Sequence, residues 1–408
     1  MKRSLKKIIA VYVVAMLIAA LILSGISRAH AQEDKSNLLG QVNTITTAVP
    51  FLMISPDARA GGMGDAGAAS SPDASSIHWN GAKLAFMEKN MGFEVSYTPW
   101  LRQLVSDINL SYVTGYKKLN NGQSIGASLR YFSLGKIGFT DNADNSIGDF
   151  SPHEYAVDLA YARKLSDNFS GGVTLRYIHS NLTGGVTVES NTSKSGNTVA
   201  ADISGYYQKE IHPGKKEASL GIGFAINNLG AKISYTQTGE KDFIPSNLRI
   251  GPSLKIKLNE YNDLTFLFDV NKLLVPTPPK YTTDSASGEQ IILGKSSDVS
   301  VSKGFFQSFC DAPGGLSEEI KEFNLCGGLE YWYDKQFAFR AGYFFESASK
   351  GNRKYFTLGA GIKYSTFGLD FAYLVPTQQH NPLENTLRFS LSFNFDSSKG
   401  SIKGDYKE

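Results

Sequence analysis

From residue 91 to the end of the chain, apolar side chains recur at every second position in segments of about ten residues, separated by turn-forming stretches. A period of two sends alternate side chains to opposite faces of a strand, so this pattern restricts the fold strongly. The first segment sets Phe93, Val95 and Tyr97 against Glu94 and Ser96, and the second carries Ile108, Leu110 and Tyr112. The third opposes Ile125, Ala127, Leu129 and Tyr131 to Ser124, Ser128 and Arg130. Similar rows follow, among them Tyr155-Val157-Leu159-Tyr161, Val173-Leu175-Tyr177, Val199-Ala201-Ile203, Leu220-Ile222-Phe224-Ile226 and Leu264-Phe266-Phe268-Val270, down to Leu387-Phe389-Leu391-Phe393-Phe395. The count is about fourteen, an even number, as single-chain bacterial barrels require. Connections alternate too. Residues 117–122, 166–168, 212–217, 259–262, 334–335 and 365–366 are short and turn-like, whereas 133–152, 180–197, 227–246 and 271–322 are mostly longer. The pattern points to an all-β fold, a transmembrane antiparallel β-barrel with short turns at one end and long loops at the other.

The competing reading is a secreted β-sandwich, whose strands also alternate but whose apolar faces point into a core. The polar rows discriminate between the two. Glu94, Asp158, Asp202, Asp269, Glu330 and Asp370 stand at mid-strand against Arg130, Arg176, Arg249, Lys255, Arg340, Lys363 and Arg388. Near-balanced charges suit a wet or salt-bridged lumen, whereas an ion-selective ring would show one sign.

Export is written at the N-terminus. Residues 1–7 (MKRSLKK) are basic, 8–26 almost wholly apolar, and Ala29-His30-Ala31 forms a small-residue cleavage site, placing the cut between Ala31 and Gln32. No later stretch is long and apolar enough for a helical span. Hydrophobic residues make up 41% of the 408, and the net charge is +3, with no basic run that would track a nucleic acid. These features divide the chain into a signal peptide (1–31), an N-terminal segment and lumenal hatch (32–90), the barrel (91–396) and a polar tail (397–408). The second unit does not alternate. Its residues 57–69 (DARAGGMGDAGAA) are small, and 71–76 (SPDASS) read as a helix start with Pro near its first turn. Such density of Gly and Ala permits close backbone packing in a confined space, which suits a plug better than a linker.

The D-A-R-A run of 57–60, the following M-G at 63–64 and the D-A-S-S-I segment of 73–77, with Asn80, resemble the N-terminal hatch of the FadL-type outer-membrane family. Within it, the stretch from Val49-Pro50-Phe51-Leu52 to the last strand resembles the PorV family of the Bacteroidetes type IX secretion system. Asn80-Gly81-Ala82 departs from the Asn-Pro-Ala usual in FadL-type hatches, which weakens any transfer of a fatty-acid role. The resemblance implies a shuttle or adaptor in the outer membrane, with long loops extracellular and both termini periplasmic. Its partners would be a large translocon barrel of the SprA/Sov kind, the C-terminal signal domains of cargo, a PorU-like attachment protease, and outer-membrane lipid or lipopolysaccharide. The alternative is a FadL-like transporter of a hydrophobic small molecule.

Catalytic and metal signatures are missing from the sequence. The six His are scattered, and no H-E-x-x-H, G-x-S-x-G or phosphate-loop motif occurs, so neither an enzyme nor a cofactor is expected. Gly171, Gly172, Gly221 and Gly223 lie in strands, where glycine more often relieves curvature than binds phosphate. Cys310 and Cys326 are the only cysteines, and in an exported chain a disulfide is the default. The longest loop carries Phe305, Phe306 and Phe309, which either fold over the barrel mouth or anchor a partner. With Pro99, Trp100 and Leu101 of the first loop, they are the candidate contact residues.

Overall fold

The computed structural model describes residues 42–396, apart from 103–104, 106, 121, 141–145, 185–186, 189–190, 215, 237–240, 285–287 and 379–380. The cleavage site at Ala31 and Gln32 and the tail 397–408 lie outside the described residues.

Fourteen antiparallel strands close into a barrel, each paired with its neighbour in sequence and the first with the last. They are Met91–Pro99 (β1), Ile108–Asn120 (β2), Gln123–Leu134 (β3), His153–Lys164 (β4), Phe169–Asn181 (β5), Gly196–Ile211 (β6) and Ala218–Gly230 (β7). Then follow Asn247–Lys257 (β8), Asn262–Leu273 (β9), Phe323–Tyr333 (β10), Phe337–Phe345 (β11), Lys354–Tyr364 (β12), Phe367–Pro376 (β13) and Leu387–Phe395 (β14). Closure leaves no free sheet edge, the condition for β-structure in a bilayer. The outer face is apolar: Leu159, Leu175, Val199 and Phe339 are each more than 60% exposed. Water would not tolerate an apolar surface running round the whole wall, so it faces lipid.

Alternation defines two faces but does not say which is the lumen. In β2 the row Leu110-Tyr112 turns inward and is fully buried, while Val113 faces out. The reason lies in the hatch: Phe51 and Leu52 form an apolar cluster with Leu110, Phe132 and Ile178, so this part of the lumen is lined by apolar side chains.

The hatch traverses the barrel. Ala48 donates to the Phe243 carbonyl in a long loop, and Asn90 donates to the Phe395 carbonyl at the short-turn end. Between them lie two single-turn helices, Ala58–Gly61 (α1) and Ser76–Trp79 (α2), and 3-10 turns at Pro50–Met53 and Gly81–Phe86. Pro72 does not open a helix. The Asp73 amide donates to Ser76 Oγ, and Ser76 Oγ donates to Asp73 Oδ1, forming a tight turn that delays α2 to Ser76. The first described residues therefore sit at the long-loop end, opposite Asp396. The two ends of the chain themselves lie outside the described residues. Residue 42 must leave on the loop side because the hatch runs through the lumen once before entering β1.

Wall glycines serve this passage. A Cβ on Gly223 would stand 1.9 Å from the Ala68 carbonyl oxygen, one on Gly342 2.1 Å from the Gly64 amide, and one on Gly172 2.5 Å from the Ala82 amide. They let hatch backbone lie against wall backbone, a more specific role than curvature. Gly64 has a positive φ of 67° and is boxed in by Tyr343 and Gly327, so no other residue fits there. Gly223→Val is expected to expel the 67–69 turn while the wall still closes. Limited proteolysis would then cut within 57–69, with the heat-modifiable gel mobility of the barrel unchanged.

Candidate functional site: the lumenal hatch and the loop module

The balanced wall charges meet the hatch at several points. Arg59 of α1 donates from Nε and Nη2 to the two oxygens of Glu330, each at 2.9 Å, and from Nη1 to Asp73 at 2.7 Å. Glu330 also accepts from Arg340, whose Nη1 reaches Asp370 at 2.6 Å. Arg388 donates to Asp65 at 2.9 Å, and Tyr355 donates to the same carboxylate at 2.7 Å. Asp269 Oδ2 accepts from the Gly67 and Ala68 amides, both at 2.7 Å. Charge-assisted bonds of this kind, with Glu330, Asp65 and Asp269 each accepting more than one, are among the strongest polar contacts available to a protein. On the wall itself Arg176 bridges Asp158 and Asp202.

The hatch is also bonded to itself. Asp57 caps α1 through the Ala60 amide and accepts from Trp79 Nε1 at 2.6 Å. Burial pushes its carboxyl up to about 6, with Asp73 adding to the effect. Lys83 is wholly buried, donates to the Gly67 carbonyl and Ser70 Oγ, and burial pulls its ammonium down to about 8. His78 is packed against Arg130 and held well below its usual range by burial and by the guanidiniums of Arg130 and Arg249. Arg249 in turn stacks on Trp79 at 4.3 Å. Below the hatch, a cavity of about 700 Å³ opens toward the short turns, lined by charged side chains such as Arg59, Glu94 and Asp370 and by apolar ones such as Phe86, Met87 and Trp332.

At the opposite end, residues between β9 and β10 form a folded module rather than an open loop. It holds a hairpin, Lys280–Asp284 with Gly288–Leu293, and two helices, Val301–Gln307 (α3) and Leu316–Lys321 (α4). Lys272 and Lys350 anchor it. Lys272, fully buried, bonds Glu322 at 2.5 Å and Glu319 at 3.3 Å, while Lys350 bonds Glu318 at 2.6 Å and Glu322 at 3.0 Å. Thr277 donates to Glu322, and the Asp311 and Ala312 amides donate to Glu319. Burial acts against the Glu318 carboxylate, but Lys350 and the Gly314 amide hold it below its ordinary range.

The candidate contact residues divide. Phe306 is 73% and Phe309 44% exposed, and Phe305 is half-buried with its ring edge-on to Phe306. Trp100 and Leu101 are half-buried and pack on the apolar clusters of the barrel mouth, and Pro99 closes β1. They plug the mouth more than they face out of it. Sequence reasoning missed Leu316 and Ile320, 76% and 62% exposed on α4. Their i, i+4 spacing among glutamates was the available signal. The expected disulfide does not form: Cys326 is buried in the wall, where its Sγ accepts from Asn271, and Cys310 is exposed beside Lys295. The strand pleat turns Cys326 into the lumen, away from the outer surface that carries Cys310.

The fold and these contacts define an outer-membrane barrel with a hatch in its lumen. Residues 37–280 match the family model of the type IX secretion system protein PorV, and the chain belongs to that family. No curated protein matches it. Among solved structures it is similar to the toluene transporter TbuX of Ralstonia pickettii, at 11% identity and a TM-score of 0.43, covering 84% of this chain and 98% of that one. It is similar to the toluene transporter TodX of Pseudomonas putida at 10% identity and 0.45, with 86% and 98% covered. A FadL homologue of Pseudomonas aeruginosa shows 12% identity and 0.42, with 87% and 100% covered. Nothing about a ligand follows from likeness at this level.

Two outcomes are expected. Glu330→Ala is expected to cost more stability than Arg59→Ala, because the first removes the carboxylate that two guanidiniums share, leaving Arg59 only Asp73 and Arg340 only Asp370, whereas the second leaves Glu330 paired with Arg340; removing one partner of a buried pair costs about 3–5 kcal/mol. Urea unfolding in detergent would rank the two variants. A membrane-impermeant maleimide is expected to label Cys310 in the folded protein and Cys326 only after denaturation, and equal labelling of both would contradict the burial.

Proposed function

We propose that this protein is an outer-membrane shuttle or adaptor of the type IX secretion system. It receives cargo by its C-terminal signal domain at the large translocon barrel and delivers it to the attachment machinery, a PorU-like protease. In this reading the long loops face the cell exterior, and outer-membrane lipid or lipopolysaccharide surrounds the wall. The observation that carries it, within a secretion family, is the apolar surface on the loop module. Phe306, Phe309, Leu316 and Ile320 are exposed on backbone pinned by a buried Lys–Glu network. An apolar surface on a rigid support, rimmed by charge, is the usual form of a protein contact. Binding of cargo needs no reaction step, and no catalytic constellation enters the account.

Passage of a hydrophobic small molecule through the barrel is the second reading. The described cavity mixes charged side chains such as Arg59, Glu94 and Asp370 with apolar ones such as Phe86, Met87 and Trp332, so its lining does not single out an apolar ligand. The hatch is also bonded to the wall by ion pairs that a passing ligand would have to break.

Phe306→Asp combined with Phe309→Asp is expected to lower recovery of translocon and cargo with the purified protein at least about tenfold, the loss of one strong anchor. Barrel closure, read by gel mobility, should not change. Unchanged recovery after removal of residues 300–310 would sink the loop assignment, and lipid alone in the eluate would favour transport.

A further inference from the structure

One guanidinium of the wall is buried with its N–H groups unmatched. Arg249, on the lumenal face of β8 and 6% exposed, stacks its cation on the Trp79 ring, which leaves its N–H groups pointing sideways out of the stack. Nε and Nη1 find no acceptor among the described residues. Asp269, diagonally across on β9, does not serve. Its Oδ2 takes the Gly67 and Ala68 amides, and its Oδ1, turned over Gly251, has no donor among the described residues. A buried charge without a hydrogen-bonded partner is costly, and native structures seldom keep one.

A second donor stands nearby. His78 of α2, also 6% exposed, meets Arg130 Nη2 through its Nδ1 at 2.6 Å. A guanidinium only donates, so Nδ1 accepts and the proton of the neutral ring sits on Nε2. That Nε2–H is buried and has no acceptor among the described residues. The Trp79 ring lies edge-on to His78 with centres 4.6 Å apart and carries Arg249 at 4.3 Å, so imidazole and guanidinium are within about 9 Å of each other. Asn247, two residues before Arg249 on the same face of β8, adds a buried Nδ2 with no acceptor. Asn227 and Asn271, on the neighbouring strands, keep an oxygen unpaired, but a neutral amide oxygen does not neutralise a guanidinium. The ring between the donors is fixed: Trp79 Nε1 donates to Asp57, and a Cβ on Gly67 would stand 2.3 Å from it.

We propose that the hatch and the wall together bind a small inorganic anion, a halide such as chloride, against the guanidinium of Arg249 and the Nε2–H of His78. A monatomic ion fits this place because Trp79, His78 and Arg249 are all buried, and a ligand carrying a chain would have to push them apart. The ion neutralises Arg249 and ties α2 of the hatch to β8 through charge-assisted bonds. It is a structural ion of the plug, independent of the loop surface assigned above to partners.

The test uses the purified full chain in detergent, in sodium chloride and in sodium gluconate of equal ionic strength. Amide exchange in 76–82 is expected to be at least about fivefold slower in chloride, saturably, with exchange in the strands unchanged. Arg249→Gln is expected to abolish the difference between the two salts, whereas Lys257→Gln, which breaks only an exposed pair with Glu217, keeps it. Crystals of the unaltered protein grown in bromide are expected to show an anomalous peak between Arg249 and His78, a readout that does not depend on any variant folding. Equal exchange in both salts would overturn the site, as would a chloride effect that survives in Arg249→Gln. An equal effect of sulfate at the same ionic strength would reduce it to screening, and an effect of acetate without one of chloride would assign the place to a carboxylate; either rejects the halide. So would a direct Arg249–Asp269 ion pair in the bromide crystals with no peak beside it.

Discussion

A length of chain threaded through a closed barrel must find partners for its amides and carbonyls on the wall, and this wall supplies them at matched heights. Asp269 takes two adjacent amides of the hatch, Ser204 takes the Ala82 amide, and Ser170 donates to the Ala82 carbonyl. Where side chains would keep the two backbones apart, the wall has glycine, at Gly172, Gly223 and Gly342. The lumenal charges then need not pair only with one another. Glu330 binds Arg59 of the hatch as well as Arg340 of the wall, and Arg388 binds Asp65 of the hatch.

This arrangement ties the hatch to the barrel wall. A channel wall is free to carry one sign of charge, but a wall that grips a plug needs both signs and many uncharged donors. The apolar cluster around Phe51 lies toward the loop end, and a cavity of mixed charged and apolar lining lies toward the turn end. Outside the lumen, the described surface beyond the lipid-facing wall is conspicuously apolar at the loop module. Two lysines rooted at the barrel mouth fix that module, so Phe306 and Leu316 are displayed by stiff backbone. Preorganised apolar contacts of this kind lose little freedom on binding.

Much of the candidate surface was legible in part. Phe306 and Phe309 could be picked out because three phenylalanines in a loop are conspicuous, whereas Leu316 and Ile320 hide in a stretch that reads as an ordinary charged helix. Trp100 and Leu101 have a packing role that the sequence does not announce. A tryptophan in a loop suggests contact with a partner, and here it also packs on both apolar clusters of the mouth. Cys310 and Cys326, sixteen positions apart in sequence, looked like a bridge because nothing in a sequence states which way a strand residue points.

By itself, the sequence determined that there are fourteen strands, that long and short connections alternate, that the wall carries both charge signs and that a small-residue segment precedes it. Each of these follows from local chemistry: the two-residue period of a strand, the turn residues, and the smallness of Gly and Ala. Tertiary structure alone decided which face of β2 lines the lumen, at which end the hatch enters, which carboxylate takes Arg59, and that α4 turns its leucine and isoleucine outward. Those outcomes depend on contacts between residues hundreds of positions apart, such as Arg59 with Glu330 and Asn43 with Glu318, which no local pattern encodes.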